Sequence, residues 1–483
     1  MSNQSILEQF APLFMPKTVA VVGASTKGNA LPNVFIRRIR EYGFKGEIYP
    51  IHPTASSIDG IPAYPNLGAT PQPVDYAYIA VSAAQIPDML TVAAGRVRYA
   101  QVVSSGFGEV DEGKDLQQRL LNAARAGGMR LLGPNCLGIY TPRGKITFTE
   151  ISPPEVGHVG VISQSGGLGT DIIRRGLSRG VKFSGLVTVG NCADVTPSDL
   201  LEFYLADEQT KVIGFYIETA QDGRRLFELL RAAKAAKPIV ILKGGRTGLG
   251  LAAAASHTGS LAGDERAWVA LSRQTGCVLV DTLDQFIDTL LIFQTLTPQP
   301  QHPTKRVVLF GNGGGTSVLA TDYFARLGLE VTPFTQPALA ALAALKLPPG
   351  TSITNPVDCP VSTLQQDNGR VAEKILDEIY AKGNPDALVM HLNMSAFAGR
   401  TPPEVIENVL KAALRVQTQY PGQAHFLLVL RSDGDPALEA RKRAFRDSAL
   451  ALGIPVYDEM SNAGHALAAL QAHERFLHTR GLG

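Results

Sequence analysis

The sequence has little cysteine. Four stand in 483 residues, at positions 136, 192, 277 and 359, far apart and without a C-x-x-C pair. That spacing argues against a disulfide framework and against a structural metal site, and it points to a reducing, cytoplasmic setting. No stretch approaches the roughly 20 uncharged apolar residues that a membrane helix needs. The N-terminal MSNQSILEQFAPLF lacks the basic segment and apolar run of a secretory leader, so neither export nor a membrane anchor is expected. Net charge is +2 without a long basic run, so no nucleic-acid footprint is expected either.

What is present is a composition of ordinary globular kind, 45% hydrophobic and 18% charged, long enough for about three domains of roughly 150 residues. Short β-branched runs (18–22, 76–81, 101–104, 159–163, 185–189, 211–217, 239–243, 307–311, 387–392, 425–430) alternate with amphipathic stretches such as 116–126, 226–235 and 436–452. Such alternation predicts parallel sheets covered on both faces by helices, and the continuously apolar runs fit strands buried on both sides. Proline-rich segments at 142–158 and 296–305 read as linkers. They divide the chain into 1–145, 155–295 and 303–483. Each part carries a glycine-rich turn soon after its first strand, at 23–28, 163–169 and 311–315. The expected fold class is α/β, with three doubly wound units.

KTVAVVGASTKGNALPNVF reads strand, tight turn, helix, and amides at such a helix start can hold phosphate oxygens. The turn G-A-S-T-K-G departs from G-x-G-x-x-G. The second strand, GEIYPIHP, ends in His52 and Pro53 with no acid to clamp a ribose hydroxyl. Both features weigh against a nicotinamide oxidoreductase. A glycine turn here would also serve plain strand–helix packing. Taken together, VAVVGAS, GFKGEIYPIHP, IDGIPAYPNL, AYIAVSA, SSGFGEV and GPNCLGI resemble the CoA-binding domain of ADP-forming acyl-CoA synthetases and of the related succinyl-CoA synthetase α subunit. The resemblance implies a Rossmann-like CoA-binding domain followed by two flavodoxin-like domains of the succinyl-CoA synthetase type. It places Gly23, Ala24 and Ser25 against the CoA phosphates and Lys45 near the nucleotide. Ser82, Ser105 and Gly106 would line the cleft, with Pro134 and Asn135 where the thiol arm passes. The family usually has Asn where this chain has His52, and Pro where it has Ser82.

GVISQSGGLGTDIIRRGL again reads strand, loop, helix, and its Ser/Gly loop can present several N–H donors to one anion without a P-loop lysine. Further on, KGGRTGLGLAAAASHTGSLAG places His257 in a loop of small and polar residues with room for a bulky group at the imidazole. A neutral imidazole is a competent nucleophile near pH 7. Glu218, at the end of VIGFYIE, is placed to be a supporting carboxylate. On residues alone, both positions could equally be structural or surface groups. SHTGSLAG resembles the phosphohistidine loop of the same family, which implies that His257 is phosphorylated and that Glu218 supports it. By the same resemblance Ser163, Ser165, Gly166 and Gly167 bind phosphate, and Gly190 and Asn191 of VGNCADVTPSDLLEFYLAD lie beside the transferred group.

The third part, with RVVLFGNGGGTSVLATDYF and LPPGTSITNPVDCP, resembles the family's last domain, for which packing and docking are expected rather than chemistry. A complete synthetase of this kind also needs an ATP-grasp module for Mg-ATP or Mg-ADP, and three α/β units fill the 483 residues. The resemblance therefore implies a separate ATP-grasp β-type subunit, or else a chain that has lost its ligase half; with the partner, a homodimeric core or a heterotetramer is expected, acting on CoA, inorganic phosphate and a small carboxylic acid whose identity stays open. A non-catalytic CoA- or acyl-CoA-binding protein is the alternative.

Overall fold

A computed structural model describes residues 3–258, 265–397 and 401–482, with the side chains of 254–258, 403 and 417 excepted. The chain divides into two compact units, Met1–Leu283 and Asp284–Gly483. The first contains two sheets. In one, β1 (Thr18–Val22), β2 (Glu47–Ile51), β5 (Val74–Ile79), β6 (Val97–Val102) and β7 (Arg130–Leu132) lie in the order β2-β1-β5-β6-β7, all parallel. A short antiparallel pair, β3 (Ser57–Ile58) and β4 (Ile61–Pro62), follows β2. Helices α1 (Asn3–Phe14), α2 (Leu31–Glu41), α3 (Ile86–Val92) and α4 (Lys114–Ala126) accompany it. All five residues of β1 are buried, as a strand covered on both faces requires.

The second sheet has the order β13-β12-β11-β9-β10-β8, built from β8 (Ile139–Tyr140), β9 (Val159–Ser163), β10 (Phe183–Thr188), β11 (Val212–Ile217), β12 (Ile239–Lys243) and β13 (Val278–Val280). Its strands are parallel except β8, which pairs antiparallel with β10. Helices α5 (Gly166–Ser178), α6 (Pro197–Ala206), α7 (Gly223–Ala233), α8 (Gly248–Thr258) and α9 (Glu265–Thr275) go with it. The strand β8 falls inside the stretch 1–145 that the sequence assigned to the first unit, yet it forms the edge of the second sheet.

One apolar core joins the two sheets. Phe10 and Phe14, one turn apart on α1, pack against α6; the rings of Phe14 and Phe203 stack with centroids 4.0 Å apart. The segment 142–158, expected as a linker, is instead strapped down. Arg38 donates to the Phe148 carbonyl at 2.7 Å and Tyr42 to that of Pro153 at 2.9 Å. Proline excluded helix from this segment without making it free; side chains from other elements supply its hydrogen bonds.

The second unit holds a parallel sheet in the order β15-β14-β16-β17-β18, with β14 (Val307–Gly311), β15 (Val357–Asp358), β16 (Ala387–Asn393), β17 (His425–Arg431) and β18 (Val456–Tyr457). The unit begins within α10 (Leu283–Thr295), so the division falls inside the stretch 155–295 rather than at the prolines after it. Its glycine turn leads into α11 (Gly314–Arg326), and the Gly313 amide there donates to the Asp358 carboxylate at 2.9 Å. The proline-rich segment 296–305 lies on the last helix, Met460–Arg480. There the fully buried Glu474 accepts from the amides of Gln299 and Thr304, each at 2.8 Å, and meets His425 Nε2 at 2.8 Å. Burial pushes the Glu474 carboxyl up, but the imidazole and the two amides outweigh this and hold it below the ordinary carboxylate range.

A carboxyl depressed in the fold stabilises it above the unfolded-state pKa of about 4.3, and that contribution is lost as pH falls through the lower folded value. Glu474→Gln is therefore expected to destabilise the second unit at neutral pH by about 2 kcal/mol or more, since it leaves buried partners unsatisfied. It should also flatten the acid limb of stability below about pH 4.3. Thermal melts from pH 3 to 7 check both. Among the described residues no helix is long and apolar enough to cross a membrane.

Candidate functional site

The first sheet gathers most of the residues expected at a ligand onto its carboxyl edge. Gly23, Ala24 and Ser25 follow β1, Ser82 follows β5, Ser105 and Gly106 follow β6, and Pro134 and Asn135 follow β7. The strand order reverses between β1 and β5, and open α/β sheets bind ligands in that crevice. Gly23 has φ +98°, and a Cβ on it would lie 2.3 Å from the Ala80 carbonyl oxygen, so the turn admits glycine alone. Ala24 is buried and can offer only backbone. The Ser25 amide is already taken by the Asn33 side chain at 2.7 Å; Asn33, wholly buried, also donates to the Ser25 carbonyl and to Asp59. Asn33 thus braces the turn, a role the sequence reading missed.

Lys45 does not join this group. It stands two residues before β2, near the Lys17 carbonyl that receives the Glu47 amide, at the amino edge of the sheet. Because β1 and β2 run parallel, a residue just before β2 lies at the end opposite the loops that leave β1 and β5. Lys45, for which the resemblance implies a place near the nucleotide, therefore lies away from the crevice at the carboxyl edge. His52, where the family usually has Asn, performs an asparagine's turn: its Nδ1 accepts from the amides of Thr54 at 3.3 Å and Ala55 at 3.0 Å.

In the second sheet the order reverses between β9 and β11, and there the loops leaving both strands are stitched together by Gln164. Its side-chain oxygen accepts from the amides of Glu218 and Thr219, and its nitrogen donates to the Thr219 carbonyl at 2.9 Å. Gln164 stands in the 163–169 loop, where a neutral amide carries no chemical signature in sequence. Ser165 caps α5, its hydroxyl accepting from the Leu168 amide at 3.2 Å. Gly166 and Gly167 open the helix, and a Cβ on Gly167 would meet nothing within 4 Å. Ser163, expected at the phosphate, is fully buried and its hydroxyl donates to the Ser165 carbonyl at 2.7 Å. It shapes the turn from beneath and does not face the ligand space, because β9 ends there and its last side chain points into the core.

Glu218 is buried at the end of β11 and accepts from the Tyr216 hydroxyl at 2.8 Å. Burial first, and then the Glu218 charge, push the Tyr216 phenol up, so it stays a donor. Lys243, at the end of β12, is also buried. Burial lowers the pKa of its ammonium, with the Glu218 carboxylate acting in the opposite sense. The chain then turns into α8, which runs through position 257. The expected loop is thus a helix up to Thr258, as the run of four alanines favours. The His257 side chain lies outside the described residues.

The two sheets' loops meet. A Cβ on Gly190, which has φ +51°, would stand 2.3 Å from the Pro134 oxygen and 2.4 Å from that of Asn135. The amides of Asn191 and Ala193 donate to Pro134 and Gly133, each at 3.0 Å. Asn191 donates to Glu109 and, at 3.0 Å, to Gln117, and Glu109 also receives the amides of Gly106 and Phe107. Burial raises the Glu109 pKa, but these donors outweigh it and hold the carboxyl below its ordinary value. Between the loops is a cavity of about 260 Å³. Val103, Asn135, Cys136 and Leu137 line it from the first sheet's side, Gln164, Ser165, Gly166 and Gly167 from the start of α5, and Gly190 and Asn191 from the loop after β10. Burial pushes the Cys136 thiol up to about 12, so it is no nucleophile near neutrality.

Among the described residues, the structure brings together Asn135, Ser165, Gly166, Gly167, Gly190 and Asn191 around one space, with Glu218 joined to it through Gln164. A helix start offering amides to an anion beside the Asn135 carboxamide suits a phosphoryl or oxyanion ligand.

Comparison with known proteins matches two stretches of the chain to family models. Residues 17–142 match a model described as a CoA binding domain, and residues 156–293 one described as a succinyl-CoA ligase like flavodoxin domain. The acetate–CoA ligase [ADP-forming] II subunit alpha of Pyrococcus furiosus is 32% identical over 459 residues, 95% of this chain and 96% of that protein. The subunit alpha of ligase I from the same organism is 35% identical over 468 residues, with the same coverage. A solved structure of Ca. Korarchaeum cryptofilum dinucleotide forming acetyl-coenzyme A synthetase 1, in complex with phosphate and ADP, superposes with a TM-score of 0.82 at 29% identity, over 98% of this chain and 99% of that one.

Proposed function

Because the chain belongs to the ADP-forming acyl-CoA synthetase family, with acetate–CoA ligase α subunits as relatives, we propose that it binds CoA thioesters and carries a phosphoryl group on His257 for a separate ATP-grasp subunit. The observation that carries this reading is the shared cavity, in which Asn135 from the CoA-binding sheet faces the amino terminus of α5 and the Gly190–Asn191 turn.

In the proposed cycle the acyl-CoA lies along the carboxyl edge of the first sheet, its pantetheine arm passing Pro134 and Asn135. Phosphate sits at Ser165, Gly166 and Gly167. A phosphate oxygen attacks the thioester carbon, the C–S bond breaks, and CoA leaves as the thiol with the proton from phosphate. The backbone amides at the start of α5 stabilise the oxyanion, an effect worth about 3 kcal/mol per donor. The acyl phosphate then gives its phosphoryl group to the neutral His257 imidazole and the carboxylate departs. Glu218 balances the charge on the ring, held in place by Tyr216 and Gln164. Transfer to ADP on the partner completes the cycle, with Mg²⁺ supplying charge neutralisation there. Run in reverse, the cycle makes acyl-CoA. The pools of CoA and ADP that it draws on favour a cytoplasmic location, and the assembly we expect is a heterotetramer around a homodimeric core.

The test is to incubate the chain with acetyl-CoA and inorganic phosphate and follow free thiol together with intact mass at neutral pH. One thiol released and one phosphoryl group gained per chain is the expected result. CoA binding without either would shift the reading to a non-catalytic acyl-CoA-binding protein.

A further inference from the structure

We infer that Leu137 and Val103 select the acyl group, together forming the wall that sets how long a chain the site accepts. The inference rests on the proposed acyl-CoA reading and goes beyond it, to the substrate's size. The cavity holds about 260 Å³, below the roughly 300–1,000 Å³ of sites for drug-sized ligands. No charged side chain lines it, so an acyl chain is recognised by shape and apolar contact. Most of its walls are carboxamides, glycines and a serine that suit the phosphoryl end. Val103, Leu137 and the buried Cys136 form its apolar part.

Leu137 has the commanding position. A Cβ on Gly166, the first residue of α5, would lie 2.7 Å from Leu137 Cγ and 3.1 Å from its Cδ1. The isobutyl group therefore leans directly on the helix start that would hold the phosphate. An acyl group bonded to that phosphate has its first carbons beside Leu137. Val103, just beyond β6, closes the same space from the side of the CoA-binding sheet. Neither residue carries a reactive group, and the sequence reading passed over both.

The experiment is single-turnover release of CoA by the full chain with phosphate and acetyl-, butanoyl- or hexanoyl-CoA. It compares wild type with Leu137→Ala, Leu137→Phe and Val103→Ala. Each methylene accommodated or refused in an apolar pocket changes rate ratios roughly tenfold or more. The hexanoyl-to-acetyl rate ratio should rise about tenfold in Leu137→Ala, rise less in Val103→Ala, and fall about tenfold in Leu137→Phe. A ratio within one variant does not depend on how much of it is folded, so partial misfolding cannot imitate the result. Wild-type activity with ratios unchanged by all three substitutions overturns the inference and leaves the acyl-CoA reading standing. No release by wild type from any thioester overturns that reading, and the inference with it.

Discussion

His257→Ala is expected to bind CoA as tightly as the unaltered chain and to gain no phosphoryl group from any thioester and phosphate. In the assembled enzyme, the loss in turnover should be on the order of 10⁴-fold or more, as for other groups that carry a covalent intermediate. The two halves of this expectation are separable because the residues proposed for CoA follow strands of the first sheet, whereas position 257 lies on α8, after the last-but-one strand of the second. Isothermal titration with CoA reads the first half. Intact mass at neutral pH, which preserves a phosphoramidate, reads the second. A His257→Ala chain that still gains one phosphoryl group would move the acceptor to another residue. Loss of CoA binding in the same variant would show that α8 supports the CoA cleft, a role the proposed cycle does not give it.

The largest structural effect is expected from Gly190→Ala. The new methyl would lie within 2.4 Å of two backbone oxygens, those of Pro134 and Asn135, at a left-handed φ of +51°. Neither oxygen belongs to a flexible side chain, so the two loops must part. The cost of the backbone conformation alone is about 1–3 kcal/mol, and the clash adds to it, for a total of about 3–5 kcal/mol. Parting the loops also stretches the bonds from Asn191 and Ala193 to Pro134 and Gly133, beside the stretch of cavity wall that Asn135, Gly190 and Asn191 form. Calorimetry should show a lower transition for residues 1–283 with that of the second unit unchanged, and CoA release should fall far more than the folded fraction does. An alanine variant of wild-type stability would show that the turn can open freely, and the tight joint described above would then be wrong.

The strands were legible because parallel sheets demand uninterrupted apolar runs. β1, β9, β12 and β14 have the bounds that the sequence suggested. Two-residue β8 was not legible, since Ile139–Tyr140 has no pattern of its own and owes its place to pairing with β10. The loop expected around His257 was misjudged because its glycines weighed more in the reading than the alanines that follow. At the site, glycines forced by close backbone approach, such as Gly23 and Gly190, stood out in their motifs. Residues whose work is to hold other residues did not: Asn33, Gln164 and Glu109 act through bonds to backbone and side chains distant in sequence. Lys45 differs, since the resemblance implies a place near the nucleotide and the chain puts it at the amino edge of a parallel sheet.

The edge strand β8 bears on how such enzymes can be recombined. A designer who takes residues 1–145 as an exchangeable CoA cassette carries off the outermost strand of the neighbouring sheet and leaves β10 with an unpaired edge, a template for aggregation. The cut would also separate Phe10 and Phe14 from Phe203, exposing aromatic surface on both fragments. A chimaera should therefore keep residues 1–283 intact from one parent and place its junction near position 283. The natural unit of exchange is the pair of sheets, inherited together.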